Sequence, residues 1–219
     1  PVAWETVEPE EGRFDWRNLD GMLQQARAHD MRLVLLWFGS WKNTFSSYVP
    51  AWVKRDQDRF ARVELSDGRG TERLTPFSTA ARDADARAFA ELMRHLRSVD
   101  GDRQTVLMVQ VENEVGTIPQ SRDHSPAAEA AFAGPVPLAL MQHLTANRSR
   151  LNRDLRAAWE DAGGLTEGSW QQVFGSGSMT DSLFMAWHYA TFLEGVTAAG
   201  KAQYTLPMFT NAALIRPNY

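Results

Sequence analysis

Thr105-Val106-Leu107-Met108-Val109-Gln110-Val111-Glu112-Asn113-Glu114-Val115-Gly116 opens as an apolar, β-branched run and stops abruptly at two carboxylates flanking an amide. An apolar run this short, bounded by polar residues, reads as a strand buried on both faces, as in a parallel sheet covered by helices. Barrel enzymes keep their chemistry at the carboxyl ends of such strands. The plainer reading is a strand that merely surfaces into a charged loop. Against it stands the cost of burying unpaired carboxylates at the edge of an apolar strand. Glu112, Asn113 and Glu114 are therefore candidate site residues.

Outward from this stretch, Met31-Arg32-Leu33-Val34-Leu35-Leu36-Trp37-Phe38 is a second buried strand. It runs into Gly39-Ser40-Trp41-Lys42-Asn43, a loop start with one permissive glycine and four side chains able to contact a polar ligand. Two further strands are expected near residues 1–4 and 205–210. Between them, Asp15 is placed to cap a helix carrying Leu19, Met22, Leu23 and Ala26. A second helix starts at Asp83 with Phe89, Leu92, Met93 and Leu96 as its apolar stripe. Asp181 is placed to cap a third, from Ser182 to about Ala199. Residues 62–65 and 72–74 flank Asp67-Gly68 and read as a surface hairpin, since Asp-Gly supplies the positive φ of a tight turn. Residues 117–135 read as irregular chain, with Arg122-Asp123-His124-Ser125 as a polar knot and His124 solvated. Helical segments follow around 136–144 and 150–162. Strands alternating with helices make an α/β fold with a parallel sheet.

Gln110-Val111-Glu112-Asn113-Glu114-Val115-Gly116 resembles the Q-V-E-N-E-x-G signature of glycoside hydrolase family 35, the β-galactosidases, within the larger clan of barrel glycosidases. The resemblance implies that Asn113-Glu114 ends the fourth barrel strand, that Glu114 is the general acid/base and that Asn113 hydrogen-bonds the sugar 2-hydroxyl. Cleaving a glycosidic bond calls for such a pair in any case: a proton for the leaving oxygen and a donor that grips the ring in the transition state. Glu112 is open between touching substrate and orienting Asn113. Trp4-Glu5-Thr6-Val7-Glu8-Pro9, followed by Gly12, Phe14 and Asp15, partly resembles the W-N-x-x-E-P…G-x-F-D pattern after the second strand in families 35 and 42. Glu8-Pro9 is open between a site role and shaping the loop. Family 35 carries G-P-Y…E-W after its third strand, whereas Lys42 or Asn43 stands here near the usual Glu, which leaves the sugar open. The Trp37–Asn43 run is closer to a bacterial branch of family-35-like enzymes with an additional carboxyl-terminal domain. Thr210-Asn211 resembles the Thr-Asn that closes the fifth strand.

By this resemblance the fold is α/β, a (β/α)8 TIM barrel of which residues 1–219 hold an incomplete catalytic portion, about strands 2 to 5. Strand 1 and strands 6–8 fall outside, since such a barrel needs about 250 residues. The implied function is a retaining hydrolase cleaving terminal non-reducing β-galactosides by double displacement, its nucleophile at the end of the seventh strand. Glu112 is not that nucleophile, because it lies on the same strand as Glu114 and cannot face the opposite side of the sugar. Substrate contacts are expected from Asn113, Glu112, Trp37, Ser40, Trp41, Lys42, Asn43, Trp4 and Asn211. An open half barrel exposes sheet edges and one side of its core, so the rest of the barrel in the parent chain is an expected partner. A homo-oligomer remains open.

Composition is that of a globular protein: 219 residues, 43% hydrophobic and 23% charged, with a net charge of -4. There is no basic footprint for nucleic acid and no apolar run of about 18 residues for a membrane span. No HExxH or His/carboxylate cluster occurs at ligand spacing, so neither metal nor cofactor is expected. Cysteine is absent, which excludes disulfides without fixing the compartment. The chain begins without Met, so a signal could lie upstream, and a periplasmic or secreted location is slightly favoured over the cytoplasm. Two other readings compete: a sugar-binding barrel without a nucleophile, and a β-glycosidase of different sugar specificity. A nucleotide-binding α/β domain would need a glycine-rich turn directly after a strand, and Gly39 alone does not supply one.

Overall fold

The computed structural model describes residues 1–118 and 120–213. In chain order the elements are β1 (Val2–Ala3), α1 (Trp4–Val7), α2 (Arg17–Ala28), β2 (Leu33–Lys42), α3 (Ala51–Arg55), β3 (Arg62–Glu64), β4 (Gly70–Leu74), α4 (Thr79–Asp100) and β5 (Val106–Asn113). There follow α5 (Pro126–Ala133), α6 (Leu138–Ala146), α7 (Arg153–Asp161), α8 (Trp170–Phe174), α9 (Ser178–Lys201) and β6 (Met208–Phe209). β1, β2, β5 and β6 form one sheet in that order, every pair parallel. Parallel neighbours need crossovers, and α2, α4 and α9 lie in the connections, so the expected α/β alternation is realised.

Several boundaries differ from the sequence reading, each for a local reason. The opening strand ends at Ala3 and Trp4 begins a helix. β2 continues through Gly39, Ser40 and Trp41 to Lys42, where a loop was expected. Helix α4 starts at Thr79, four residues before Asp83, because the Ser78 hydroxyl caps it by accepting from the Ala81 N–H at 3.2 Å. Asp15 does bind the start of α2, accepting from the Arg17 N–H at 3.0 Å, although Trp16 occupies the capping position. Helix α9 begins at Ser178, so Asp181 sits in its first turn and accepts from the Ser121 hydroxyl at 2.8 Å. Ser125 and Pro126 start α5 inside the stretch read as irregular. There Asp123 is fully buried and accepts from the Glu64 and Ser125 amides at 3.0 and 2.8 Å, while His124 Nδ1 lies 2.7 Å from Glu129. The polar knot is a structural clamp between the hairpin and α5.

The core lies between the sheet and α4 and α9, which pack against β2, β5 and each other. The α4 stripe of Phe89, Leu92, Met93 and Leu96 is fully buried as its spacing requires. Burying each such side chain contributes about 1.5–3 kcal/mol. The β3–β4 hairpin, turning at Gly68 with φ 81°, is less superficial than expected. Val63 and Leu74 are buried, and the Leu74 carbonyl accepts from Trp41 Nε1 at 3.0 Å, so the hairpin closes over the end of β2. Val34, Leu107 and Phe209 remain exposed on the sheet.

Gly200 is where α9 comes closest to α4: a Cβ there would lie 2.3 Å from the Phe89 ring and 3.1 Å from Met93. Gly200→Ala should therefore lower stability by about 1–3 kcal/mol, in spite of alanine's better helix propensity. Chemical denaturation checks this, and a stabilised variant would mean that the two helices are less tightly packed.

Candidate active site

The polar residues at the carboxyl edge of the sheet are arranged by an irregularity in β2. From Trp37 opposite Val111 to Lys42 opposite Asn113, β2 takes five steps while β5 takes two. The surplus makes a bulge of Gly39, Ser40 and Trp41, and a bulge leaves backbone groups without ladder partners. Glu112 supplies them: its carboxyl accepts from the Ser40 N–H at 3.0 Å and the Trp41 N–H at 2.6 Å. Asp85, on α4, completes the arrangement by accepting from Trp37 Nε1 at 2.9 Å, the Ser40 N–H at 2.9 Å and the Ser40 hydroxyl at 2.6 Å. Both acids are fully buried. Burial, reinforced by the negative charge of Asp85, holds the Glu112 carboxyl well above the usual carboxylate range.

Directly after this buried layer the chain turns outward. Glu112 and Glu114 have φ of 61° and 52°, and Asn43 and Thr44 across from them 53° and 66°. Left-handed conformations in non-glycine residues are unfavourable, most of all for a β-branched residue such as Thr44, and they persist only where neighbours over-determine them. Here they are over-determined. The Asn43 N–H donates to the Asn113 carbonyl at 3.0 Å, and the Thr44 N–H to the Glu114 carbonyl at 2.9 Å. On the other side, Asn211 Oδ1 accepts from the Glu114 N–H at 2.9 Å, and the Ala213 N–H reaches the Val115 carbonyl at 2.8 Å. Tyr189 of α9 donates its hydroxyl to the Gly116 carbonyl at 3.1 Å, and burial pushes its pKa up to about 12. Glu114 is thus clamped by its backbone, partly exposed, and no hydrogen bond or ion pair among the described residues reaches its carboxylate.

The expected site residues divide into two groups. Lys42, Asn43, Asn113, Glu114 and Asn211 come together at the strand ends. Trp4, Trp37 and Trp41 are fully buried, so none presents a ring face to a sugar. Trp4 instead donates Nε1 to Glu8 at 2.7 Å, and Glu8, also fully buried, accepts from the Gly12 N–H at 2.8 Å, the loop-shaping alternative. Trp41 packs edge-on against Tyr189 and Phe192. Ser40 is buried under the bulge, and Glu112 faces the Ser40 and Trp41 amides rather than the surface. Asp85 was missed, although its spacing held a signal: it falls between Ala81 and Phe89 on the buried stripe of α4, where an isolated acid needs a reason. A cavity of about 560 Å³ adjoins the site along Val115, Gly116, Thr117, Tyr189, Asn211 and Ala213, without reaching Glu114 itself. Among the described residues no group of His and acidic side chains is placed to hold a metal, and no helix is long and apolar enough to cross a membrane.

The family described as Glyco_hydro_42, β-galactosidase, matches residues 1–180. The β-galactosidase BgaA of a Thermus species is 29% identical over 138 residues, 60% of this chain and 19% of that protein. Among solved structures, the β-galactosidase of the psychrophilic Marinomonas ef1 superposes with a TM-score of 0.62 at 16% identity. That of the Antarctic haloarchaeon Halorubrum lacusprofundi does so with 0.61 at 20%, and both matches cover 95% of this chain and 31% of the other. The likeness establishes the fold, an α/β parallel sheet like that of TIM-barrel glycosidases and covering part of a barrel. The chain spans about a fifth of the length of the curated relative and less than a third of these solved ones. The matching family is 42, which overturns the assignment to family 35. The family-35 motif rests on an Asn-Glu pair that by resemblance ends a strand throughout the clan, so it points to the clan rather than to one family within it.

A Cβ on Gly39 would lie 2.3 Å from Glu112 Oε1, 2.3 Å from Trp37 Nε1 and 2.7 Å from Asp85 Oδ1. Gly39→Ala should cost about 1–3 kcal/mol in a denaturation experiment, because the obstructing atoms belong to a buried hydrogen-bonded layer that cannot step aside. Gly21, inside α2 with open space around it and no positive φ, is the control position.

Proposed function

The chain belongs to the glycoside hydrolase family 42 β-galactosidases, and from that premise we propose that the whole protein is a retaining hydrolase of terminal β-galactosides with Glu114 as its general acid/base. Residues 1–219 are then about strands 2 to 5 of its catalytic barrel, and the nucleophile comes from a part of the barrel outside them. The observation that carries the reading is the seat of Glu114. It stands at the carboxyl end of β5 with its backbone held from both neighbouring strand ends and its carboxylate unengaged. Carboxyl ends of barrel strands are where catalytic groups collect, and a group that must give and take a proton has to be fixed in place yet unpaired.

In this reading Glu114 protonates the glycosidic oxygen as the bond to the galactosyl carbon breaks, and the nucleophilic carboxylate traps the sugar as a covalent intermediate. Glu114, now ionised, takes a proton from water as that water releases the galactose. Glu112 has no part in the displacement, since its carboxyl is buried against the Ser40 and Trp41 amides. In the same reading Asn113, partly exposed beside Glu114, donates to the sugar 2-hydroxyl, and Lys42 and Asn43 line the same rim. The oxygen of the Asn211 amide is used in holding Glu114, so its role is positioning.

In the full-length protein, Glu114→Gln should lower kcat on β-galactosides with poor leaving groups by about 10²–10⁴-fold, with circular dichroism unchanged. Activated aryl galactosides, which need less proton assistance, should lose less. A variant as active as wild type on both would remove Glu114 from the mechanism. On a panel of nitrophenyl glycosides the β-galactoside should give the highest kcat/KM, and binding without turnover would favour a sugar-binding barrel instead.

A further inference from the structure

We propose that Asp85 and Glu112 share a single proton, and that this carboxyl pair fixes the bulge of β2 against the end of β5 and so positions Asn113 and Glu114. The catalytic half of the proposal rests on the reading of Glu114 as acid/base; the shared proton does not. Two fully buried acids converge on one backbone hydrogen: the Ser40 N–H is bonded to Asp85 Oδ2 at 2.9 Å and to Glu112 Oε1 at 3.0 Å. Oxygens of both acids also crowd the space beside Gly39 that a side chain would occupy. The donors around them are all uncharged, namely Trp37 Nε1, the Ser40 amide and hydroxyl, and the Trp41 amide.

The charges on every surrounding element are directed elsewhere. On α4, Arg82 pairs with Asp83, and Arg87 reaches Glu8 and Glu11. On β2, Lys42 lies 5.7 Å from the Phe38 ring centre. From β5 comes Gln110, whose amide donates to the Glu112 carbonyl; from β4 come the Leu74 backbone and Arg73, whose guanidinium lies 4.9 Å from the Phe45 ring centre; and from α9 come the rings of Tyr189 and Phe192 against Trp41. Among the described residues no cation pairs with either acid. Two full negative charges there would be uncompensated at low dielectric, whereas one retained proton turns one acid into a donor to the other. Asn113 and Glu114 follow Glu112 without a break, and Asn43 and Thr44 follow the bulge, so whatever loosens the pair loosens both halves of the rim.

The direction of the pH dependence follows from linkage. An acid that binds its proton more tightly folded than unfolded adds stability that is complete below the unfolded value, about 4.3 for Glu, and lost as pH rises through the folded one. Glu112→Gln mimics the protonated state, its amide donating to Asp85 while its oxygen keeps the Trp41 bond. In the full-length protein, wild type should lose thermal stability relative to Glu112→Gln as pH rises from that acidic range, because the other carboxyls contribute equally to both proteins and only the titration of Glu112 differs. Asp85→Asn, with the like charge gone, should move the decline to lower pH. On an aryl β-galactoside, Glu112→Gln should keep kcat within about tenfold of wild type and extend activity to higher pH, whereas Glu112→Ala should lower kcat far more than KM. Parallel stability profiles for wild type and Glu112→Gln would overturn the shared proton. If Glu112→Gln does not fold, the infrared carbonyl band of a protonated acid in Glu114→Gln, where the proposed general acid can no longer contribute, decides: its presence at neutral pH and loss at alkaline pH support the pair, and its absence at neutral pH overturns it. Should Glu114→Gln prove fully active, the acid/base reading fails alone, because the stability profile and the infrared band report on the pair without reference to turnover.

Discussion

The carboxyl group of Glu112 accepting the Ser40 and Trp41 amides is the contact on which the functional edge of this chain depends. A parallel ladder satisfies its own backbone groups only while the two strands keep step, and β2 falls out of step with β5 after Trp37. The amides released there are buried, and leaving them unpaired would cost about 1–3 kcal/mol each. A side chain from the partner strand replaces the missing ladder bonds, and the strand ends stay joined across the gap. Asp85 extends the same layer to the helix behind the sheet, so strand, bulge and helix are locked by one set of hydrogen bonds.

From that layer the geometry of the rim follows. With Glu112 turned inward at positive φ, Asn113 emerges partly exposed and Glu114 enters a second left-handed conformation, while Asn43 and Thr44 do the same on the facing strand. Such conformations cost of order 1–3 kcal/mol each, and their concentration at one edge is typical of functional sites. The energy that maintains them comes from the bulge layer beneath, from Asn211 on one side and from Tyr189 behind. Gly39 belongs to the same device through its size, since it alone leaves room for two acids and an indole N–H.

Membership of family 42 gives this edge its chemical meaning, and the shortness of the chain relative to its relatives bounds it. In the proposed mechanism the one carboxylate held in place and unpaired, that of Glu114, supplies the acid/base, and the nucleophile lies outside these residues. The division of labour among the acids is set by environment: Glu112 and Asp85 are buried and engaged with backbone donors, Glu114 is partly exposed and disengaged. Three acids within one small region therefore stand in different surroundings although all three carry the same functional group.

Much of this was legible in the residues. Apolar runs such as Val106–Val111 and Leu33–Phe38 declare strands because an unbroken apolar stretch of this length fits a covered parallel sheet, although Val34 and Leu107 stay exposed, and the 3.6-residue spacing of Phe89, Leu92, Met93 and Leu96 declares the helix between them. The carboxylates at the end of β5 drew attention to the strand ends because acids at the edge of an apolar strand need a reason to be there. What the sequence could not settle is which neighbour each polar group meets, because that depends on register. The bulge at Gly39 looks like a loop in one dimension, the indoles of Trp4, Trp37 and Trp41 look like sugar platforms, and Asp85, remote in sequence, looks like any helical acid. Only when the strands are laid side by side, five residues against two, do free amides appear that require Glu112, and does a buried space form that draws in Asp85 and excludes every side chain from position 39.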